Sequence, residues 1–144
     1  MIRILLASHS NFANGLYETG QMIAGKEMME DVTCLSLQPD EGVTCLEKQV
    51  EQYCTQYMGD TFLIMVDMLG ATPFNVCASV FQHCDYRILS GMNLPMLIAA
   101  VIHRGQSSLE ELAEYAHTAG KEGIETVQLR LQASMPTNTD EEDF

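Results

Sequence analysis

Three short polar segments carry the side chains that could do chemistry. They are Ser8 to Ser10 around His9, Asp67 together with Gly70 to Asn75, and Ser90 to Asn93. A neutral imidazole is a nucleophile toward phosphorus when a carboxylate accepts the hydrogen of one ring nitrogen, because this fixes the tautomer and leaves a lone pair on the other nitrogen. His9 and Asp67 could form such a pair if the fold brought them together.

Each of these segments follows a run of residues that predicts a β-strand. Such runs alternate with longer segments of helical periodicity, which is typical of βα units around a parallel sheet. The predicted strands are Ile2 to Ala7, Val32 to Leu37, Phe62 to Val66, Tyr86 to Leu89 and Thr126 to Leu131. The first four are expected to be parallel, and the last alternates apolar and polar residues, which favours an edge position.

The segments between the strands predict five helices. They run from Phe12 to a stop at Gly25, with Ser10 or Asn11 as N-cap; from Val43 to Met58; onward from Thr72; from Leu94 to His103; and from Ser107 to Ala119. Thr72 is predicted to cap the third helix, with Pro73 in its first turn, where a missing N–H costs nothing. Gly120 and Gly123 are expected to end the last helix.

An open, doubly wound α/β sheet places functional groups beyond the carboxyl ends of its strands. The first and third strands are expected to be neighbours at the switch point, so that His9 and Asp67 meet. The hydroxyls of Ser10 and Thr72, with backbone N–H groups, are predicted to bind the oxygens of a phosphoryl group. No cofactor is expected, because neither a metal nor a nucleotide is needed when the phosphoryl donor is itself a phosphohistidine.

Composition bounds the remaining choices. The chain has 144 residues, which predicts one domain, residues 1–132, followed by an acidic tail, residues 133–144, that we expect to be disordered. Twenty acidic residues against seven basic ones give a net charge of -13, which excludes a nucleic-acid binder. The longest apolar run is too short to cross a membrane. Five cysteines without a C-x-x-C pair suggest neither a zinc site nor a disulfide framework, so we expect a cytoplasmic protein.

The three segments resemble the enzyme IIA component of the mannose family of the bacterial phosphoenolpyruvate-dependent sugar phosphotransferase system (PTS). The resemblance covers about Met1 to Leu131 and rests on the strand-His9-helix segment, on Val66 to Asn75 and on Ser90 to Leu97. It implies that His9 receives a phosphoryl group from the phosphocarrier protein HPr and passes it to a IIB component, and through it to the IIC and IID membrane components. In that family Asp67 would orient His9, and the Thr72 hydroxyl would lie near the phosphoryl group.

The resemblance also implies a homodimer. In it the last strand, Thr126 to Leu131, is exchanged between subunits and runs antiparallel to the other four.

Two alternatives stay open from the sequence. Ser10 stands where many members of the family have glycine, and Ser8-His9-Ser10 also resembles the phosphotransfer subunit of a dihydroxyacetone kinase. A flavodoxin-like electron carrier would use Ser8, Ser10 and Asn11 for the phosphate of FMN. The first is disfavoured by positions 72–75 and 93–96, which follow the sugar-transport type. The second is disfavoured because the chain has no tryptophan and no aromatic residue in the predicted loops after the third and fourth strands.

Overall fold

Four parallel strands form the central sheet of the protein in the computed structural model, which describes residues 1–128. They are β1 (Ile2–His9), β2 (Val32–Leu37), β3 (Thr61–Val66) and β4 (Tyr86–Leu89), in the order β2-β1-β3-β4. The order reverses between β1 and β3, as expected of a doubly wound sheet. The predicted α/β class and the four parallel strands are therefore confirmed. β1 is two residues longer than predicted because Ser8 and His9 pair with Ser36 and Leu37 of β2.

Helices cover both faces of the sheet. They are α1 (Phe12–Ala24), α2 (Lys26–Met29), α3 (Val43–Gln56), α4 (Thr72–Val80), α5 (Leu94–His103) and α6 (Leu109–Glu122), with a 3₁₀ turn at Arg104–Gln106 after α5. The side chains of β1 alternate between two cores. Ile4 and Leu6 pack with α1, α2, α5 and α6, whereas Leu5 and Ala7 pack with α3 and α4. Both faces of β1 are thus buried, which explains its nearly continuous apolar sequence.

The start of α4 differs from the prediction. Ala71 occupies the N-cap position, and Thr72 is the first helical residue rather than the cap. Gly70 has a φ of 76°, and the side chain of Asn75 donates to its carbonyl at 2.9 Å. The loop is therefore tied to the helix from Asn75, and a hydroxyl cap at Thr72 is not used. Pro73 lies in the first turn, as predicted.

The end of α6 also differs. Ser108 caps this helix in a capping box with Glu111, and the helix continues through Gly120. A Cβ at Gly120 would lie 2.9 Å from Cε of Met96, so this glycine permits the close approach of α5 rather than ending α6. Gly123 is the C-cap residue.

Further differences from the prediction concern α2, α3 and the last predicted strand. α3 ends at Gln56, two residues before the predicted Met58, and the short helix α2 was not predicted. Of the predicted strand Thr126 to Leu131, only the first three residues are described, and Val127 and Gln128 are helical there. The antiparallel pairing, the exchange between subunits and the tail, residues 133–144, lie outside the described residues and stay predictions. No helix within residues 1–128 is long and apolar enough to cross a membrane.

Candidate functional site

His9 and Asp67 meet at the carboxyl end of the sheet. β1 and β3 are neighbouring parallel strands, and Ala7 lies opposite Val66. The residues just after these two positions therefore lie side by side. Nδ1 of His9 lies 2.7 Å from Oδ2 of Asp67. The backbone N–H of His9 donates to the same oxygen at 2.9 Å, and the backbone N–H of Met68 donates to Oδ1 at 2.9 Å. The carboxylate is therefore held by the backbone as well as by the ring.

These contacts set the charge of the pair. Burial acts to raise the pKa of Asp67, but the N–H groups of His9 and Met68 and the charge of the imidazole together outweigh it and hold that pKa below its usual value. At neutral pH Asp67 is a carboxylate that can only accept, so Nδ1 of His9 carries the hydrogen that it receives. The imidazole side chain is 45% exposed and Asp67 16% exposed. The lone pair of Nε2 is thus the reactive feature of the site.

Ser8 locks the connection from β1 to α1. Its side chain is fully buried, accepts from the backbone N–H of Ala13 at 2.8 Å and donates to the carbonyl of His9 at 3.1 Å. Asn11 occupies the N-cap position of α1 but makes no side-chain cap hydrogen bond. The side-chain cap of this helix comes from Ser8, whereas the sequence predicted Ser10 or Asn11 in that role. The signal available was a hydroxyl residue at the end of a buried strand.

Ser10, a predicted phosphoryl-binding residue, is exposed beside His9. Its φ is 50°, in the left-handed region that favours glycine. Its backbone N–H donates to the carbonyl of Leu37 at 2.8 Å, so the hydroxyl is the group left to bind a ligand. The backbone conformation gives a physical reason for glycine at this position in many members of the family that the sequence resembles.

Thr72, the other predicted phosphoryl-binding residue, opens α4 after the loop that begins at Asp67. It lines a groove of about 420 Å³ between α3 and α4, together with Glu47, Glu51 and Asn75. Within residues 1–128, neither Thr72 nor Ser10 has a side-chain hydrogen bond to His9 or Asp67. The structure therefore joins the histidine and the aspartate directly, and it joins neither hydroxyl to them by a hydrogen bond.

The third segment, Ser90 to Asn93, supports the site without joining it. The backbone N–H of Met92 donates to the carbonyl of Val66 at 3.0 Å, which holds the end of β3 beside the loop after β4. Asn93 accepts from the N–H of Met96 at 3.1 Å and donates to the carbonyl of Gly120 at 3.1 Å. This segment fixes α5 and α6 relative to the strand end from which Asp67 follows.

Large apolar side chains are exposed on both chain segments that carry the pair. Phe12 opens α1, and Met68 and Leu69 follow Asp67; their exposed fractions are 52%, 62% and 69%. Because they neighbour the pair in the chain, these side chains are candidates for contact with another protein. In the part of the chain that the structure describes, no cluster of three or more histidine, cysteine or acidic side chains could hold a metal ion.

The other histidines have different surroundings. His103 stacks on the ring of Tyr115 at 4.5 Å, and His83 and His117 are exposed. Among the ion pairs of residues 1–128, His9 is the histidine that contacts a carboxylate. The geometry therefore distinguishes His9 from the other three.

The sequence model of the EIIA-man family, described as "PTS system fructose IIA component", matches residues 3–117. The chain belongs to this family, and the resemblance seen in the three segments is confirmed. The two alternatives, a dihydroxyacetone kinase subunit and a flavodoxin-like carrier, are not favoured.

Individual relatives agree with this assignment. The PTS system mannose-specific EIIAB component of Escherichia coli (strain K12) is 28% identical over 132 residues, which are 90% of this chain and 40% of that protein. The PTS system fructose-specific EIIA component of Bacillus subtilis (strain 168) is 25% identical over 143 residues, 97% of this chain and 96% of that one. The chain thus spans about two fifths of the length of its mannose-specific relatives.

Solved structures show the same fold. Phosphotransferase system component EIIA from Streptococcus agalactiae has a TM-score of 0.77 at 28% identity, covering 90% of this chain and 99% of that one. The mannose/sorbose specific IIA subunit from Enterococcus faecalis has a TM-score of 0.81 at 24% identity, covering 95% and 98%. The second match supports the fold alone.

Proposed function

We propose that this chain is a phosphohistidine relay protein of the sugar phosphotransferase system. His9 accepts a phosphoryl group from phospho-HPr and passes it to a IIB component, which serves sugar uptake through the IIC and IID membrane components. The observation that carries the proposal is the contact of 2.7 Å between Nδ1 of His9 and Oδ2 of Asp67, at a strand end where the ring is accessible. Membership in the EIIA-man family supports the same role.

The transfer follows from the state of the ring. The lone pair of Nε2 attacks phosphorus, a new N–P bond forms, and the N–P bond to the donor histidine breaks with its electrons returning to that imidazole. The hydrogen stays on Nδ1, in its hydrogen bond to Asp67, throughout the transfer, and the carboxylate balances the positive charge that develops on the ring. Transfer to the IIB component runs the same steps in reverse, with its nucleophile attacking the phosphorus on His9.

The hydroxyls of Ser10 and Thr72 are assigned to the phosphoryl oxygens. Ser10 is adjacent to His9 in the chain and exposed, and Thr72 stands at the positive end of the α4 dipole, where an anion is favoured. Positioning and charge stabilisation of this kind dominate phosphoryl transfer. Both residues therefore serve as binding groups rather than as the nucleophile.

Partner proteins are expected to dock over the exposed apolar side chains of Phe12, Met68 and Leu69. The net charge of -13 favours partner proteins in which basic residues surround the apolar residues of the contact surface. Salt screens this attraction, so the association rate should fall as ionic strength rises.

A second copy of the chain is the other proposed partner. Within residues 1–128, β4 pairs with β3 and with no other strand, so an edge of the sheet is open beside it. Light scattering should report a homodimer. A species of 16.0 kDa at micromolar concentration would overturn this part of the proposal.

Acid-labile phosphorylation tests the function. The protein is incubated with phosphoenolpyruvate, enzyme I and HPr, and the label is measured after separation from both carriers. We expect label on the parent protein and none on His9→Ala. The matched controls are His83→Ala, His103→Ala and His117→Ala, each of which should keep the label. Label retained by His9→Ala and lost from a control would contradict the assignment.

A further inference from the structure

Two of the five cysteines lie in contact although they are far apart in the chain. Cys54 is in the last turn of α3, and Cys84 is in the turn between α4 and β4. Their Sγ atoms are 3.4 Å apart. A disulfide has an S–S length of about 2.05 Å, so a closing movement of about 1.4 Å would bring the sulfurs to bonding distance.

The packing around the two thiols holds them in this position. Tyr53 on α3 is buried against Phe62 and Phe81, with ring centroids 6.0 and 6.4 Å away. The backbone N–H of Cys84 donates to the carbonyl of Phe81 at 2.8 Å, which fixes the turn that carries this thiol. Both cysteines are half-buried at the margin of this aromatic cluster. The contact therefore joins two segments that are already packed together.

The other cysteines have different partners. Cys34 donates to the carbonyl of Ala13 at 3.6 Å, Cys45 accepts from the side chain of Gln49 at 3.4 Å, and Cys77 is buried inside α4. Cys45 lies on the same helix as Cys54 and is also half-buried, so it provides a matched control for the pair.

We propose that Cys54 and Cys84 are a reversible oxidation site, which forms an intramolecular disulfide when a peroxide is present. Sulfur of Cys84 attacks one peroxide oxygen and the O–O bond breaks, which gives a sulfenic acid on Cys84. The hydroxide that leaves combines with the thiol hydrogen of Cys84 to form the first water. Sulfur of Cys54 then attacks sulfur of Cys84, the S–S bond forms, the S–O bond breaks, and the thiol hydrogen of Cys54 leaves with the hydroxide as water. Two thiols are oxidised and one hydrogen peroxide becomes two waters.

The order of the two thiols has a physical basis. Burial, together with the hydrogen bond to Cys84 and its charge, raises the pKa of Cys54 to about 11. Cys54 therefore stays protonated at neutral pH and is poorly suited to attack a peroxide that arrives from solution. Its attack on oxidised Cys84 is intramolecular, between sulfurs that are already 3.4 Å apart, and its hydrogen leaves in that step. Once Cys84 is oxidised, Cys54 is the thiol in contact with it.

The disulfide would connect α3 to the start of β4 without touching the candidate site. Cys84 precedes β4, whereas His9 and Asp67 lie at the opposite, carboxyl end of the parallel sheet. Closing a loop of about 30 residues restricts the unfolded chain, so oxidation should raise the thermal midpoint by roughly 5–10 °C. The proposed oxidation site is therefore separate from the site of the phosphoryl relay.

Oxidation followed by alkylation tests the proposal. The purified protein is treated with one equivalent of hydrogen peroxide, its free thiols are alkylated with N-ethylmaleimide after unfolding, and its intact mass is measured. We expect three alkylated thiols in place of five, on a monomeric chain lighter by two hydrogen atoms before alkylation. Dithiothreitol should restore all five thiols and reverse the rise in thermal midpoint.

Digestion after acidic residues locates the bond. It places Cys54 in positions 52–60 and Cys84 in positions 68–85, and fragmentation of the linked pair distinguishes Cys84 from Cys77. Cys54→Ser and Cys84→Ser should each lose the disulfide, while Cys45→Ser should keep it. The proposal would be overturned by any of three results: five alkylated thiols after oxidation, a bond to another cysteine, or a disulfide only between chains. Each of these results can be observed with the parent protein, without the variants.

Discussion

The two ends of the sheet each hold a carboxylate against a nitrogen-bearing side chain at nearly the same distance. At the amino end, Nε of Arg3 lies 2.8 Å from Oδ2 of Asp60. At the carboxyl end, Nδ1 of His9 lies 2.7 Å from Oδ2 of Asp67. Both carboxyl groups have a pKa below the ordinary value, so both are ionised at neutral pH.

The two ends differ in whether the nitrogen-bearing side chain keeps a lone pair that can react. The Arg3 guanidinium sits over the ring of Tyr57 at 3.8 Å and keeps its charge at every accessible pH, so it offers no lone pair. His9 has a second ring nitrogen, and Asp67 is anchored by backbone N–H groups that do not depend on the ring. The pair at the amino end therefore stabilises the structure, whereas the pair at the carboxyl end is suited to chemistry.

Replacement of each aspartate by asparagine should have the largest effect and should separate the two ends of the sheet. Asp67→Asn removes the charge that balances the imidazolium and allows the amide to select the other tautomer, so phosphoryl acceptance should slow by roughly 10- to 100-fold. Asp60→Asn removes a similar contact far from His9 and should leave the rate unchanged. The initial rate of labelling by phospho-HPr measures both. Equal slowing in the two variants would mean that Asp67 acts only through stability.

Arg3→Met should show the structural role of the amino end. The variant loses the contact with Asp60 and the cation–π contact with Tyr57, for a cost of about 1 kcal/mol. The thermal midpoint should fall by roughly 3–5 °C while the labelling rate stays that of the parent. Lys48→Met, which replaces an exposed basic residue of α3, is the control and should leave both values unchanged. A slower labelling rate in folded Arg3→Met would contradict the separation of the two ends.

Low pH should reduce the stabilising contribution of the carboxylate at each end of the sheet. The pKa of Asp60 is lowered by its hydrogen bond from Arg3, so its stabilising contribution is complete above the ordinary pKa of about 4 and is lost as pH falls through the lower folded-state value. The same sign applies to Asp67. Urea midpoints measured at pH 6 and pH 3 should therefore differ less in Asp60→Asn than in the parent. An equal difference would show that this pair does not contribute to acid unfolding.

Substitution of Ser10 should have the smallest effect and would test whether its hydroxyl binds the phosphoryl group. Ser10→Ala removes the hydroxyl and keeps the strained backbone, whereas Ser10→Gly removes both. If the hydroxyl binds the phosphoryl group, both variants should accept phosphate a few-fold more slowly, and Ser10→Gly should be the more stable of the two by about 1 kcal/mol. Full activity in both variants would remove Ser10 from the phosphoryl-binding groups.

The sequence predicted the sheet and the meeting of His9 with Asp67 because both follow from rules that act along the whole chain. Apolar runs located β1 to β4, and the reversal of strand order between β1 and β3 brought their following residues together. Where one chain segment must approach another closely, the prediction was wrong. Gly120 looked like a helix stop, but α5 packs against it.

Other contacts were not predictable because they depend on three-dimensional register. The Arg3 and Asp60 pair joins residues 57 positions apart, and the Cys54 and Cys84 contact joins residues 30 apart. Ser8 caps α1 from inside a strand, where a cap is not normally sought. Hydrophobic periodicity shows which face of a segment is buried, but it does not say which polar atoms meet at its end.

The role of Asp67 as acceptor from Nδ1 can be tested by finding which nitrogen of His9 carries phosphorus. The protein is labelled with ¹⁵N-histidine and phosphorylated by phosphoenolpyruvate, enzyme I and HPr, and the coupling between ³¹P and ¹⁵N is measured by NMR. Because Nδ1 of His9 donates its hydrogen to Oδ2 of Asp67, 2.7 Å away, phosphorus should couple to Nε2 of His9. Phosphorus on Nδ1, or on another histidine, would contradict the account.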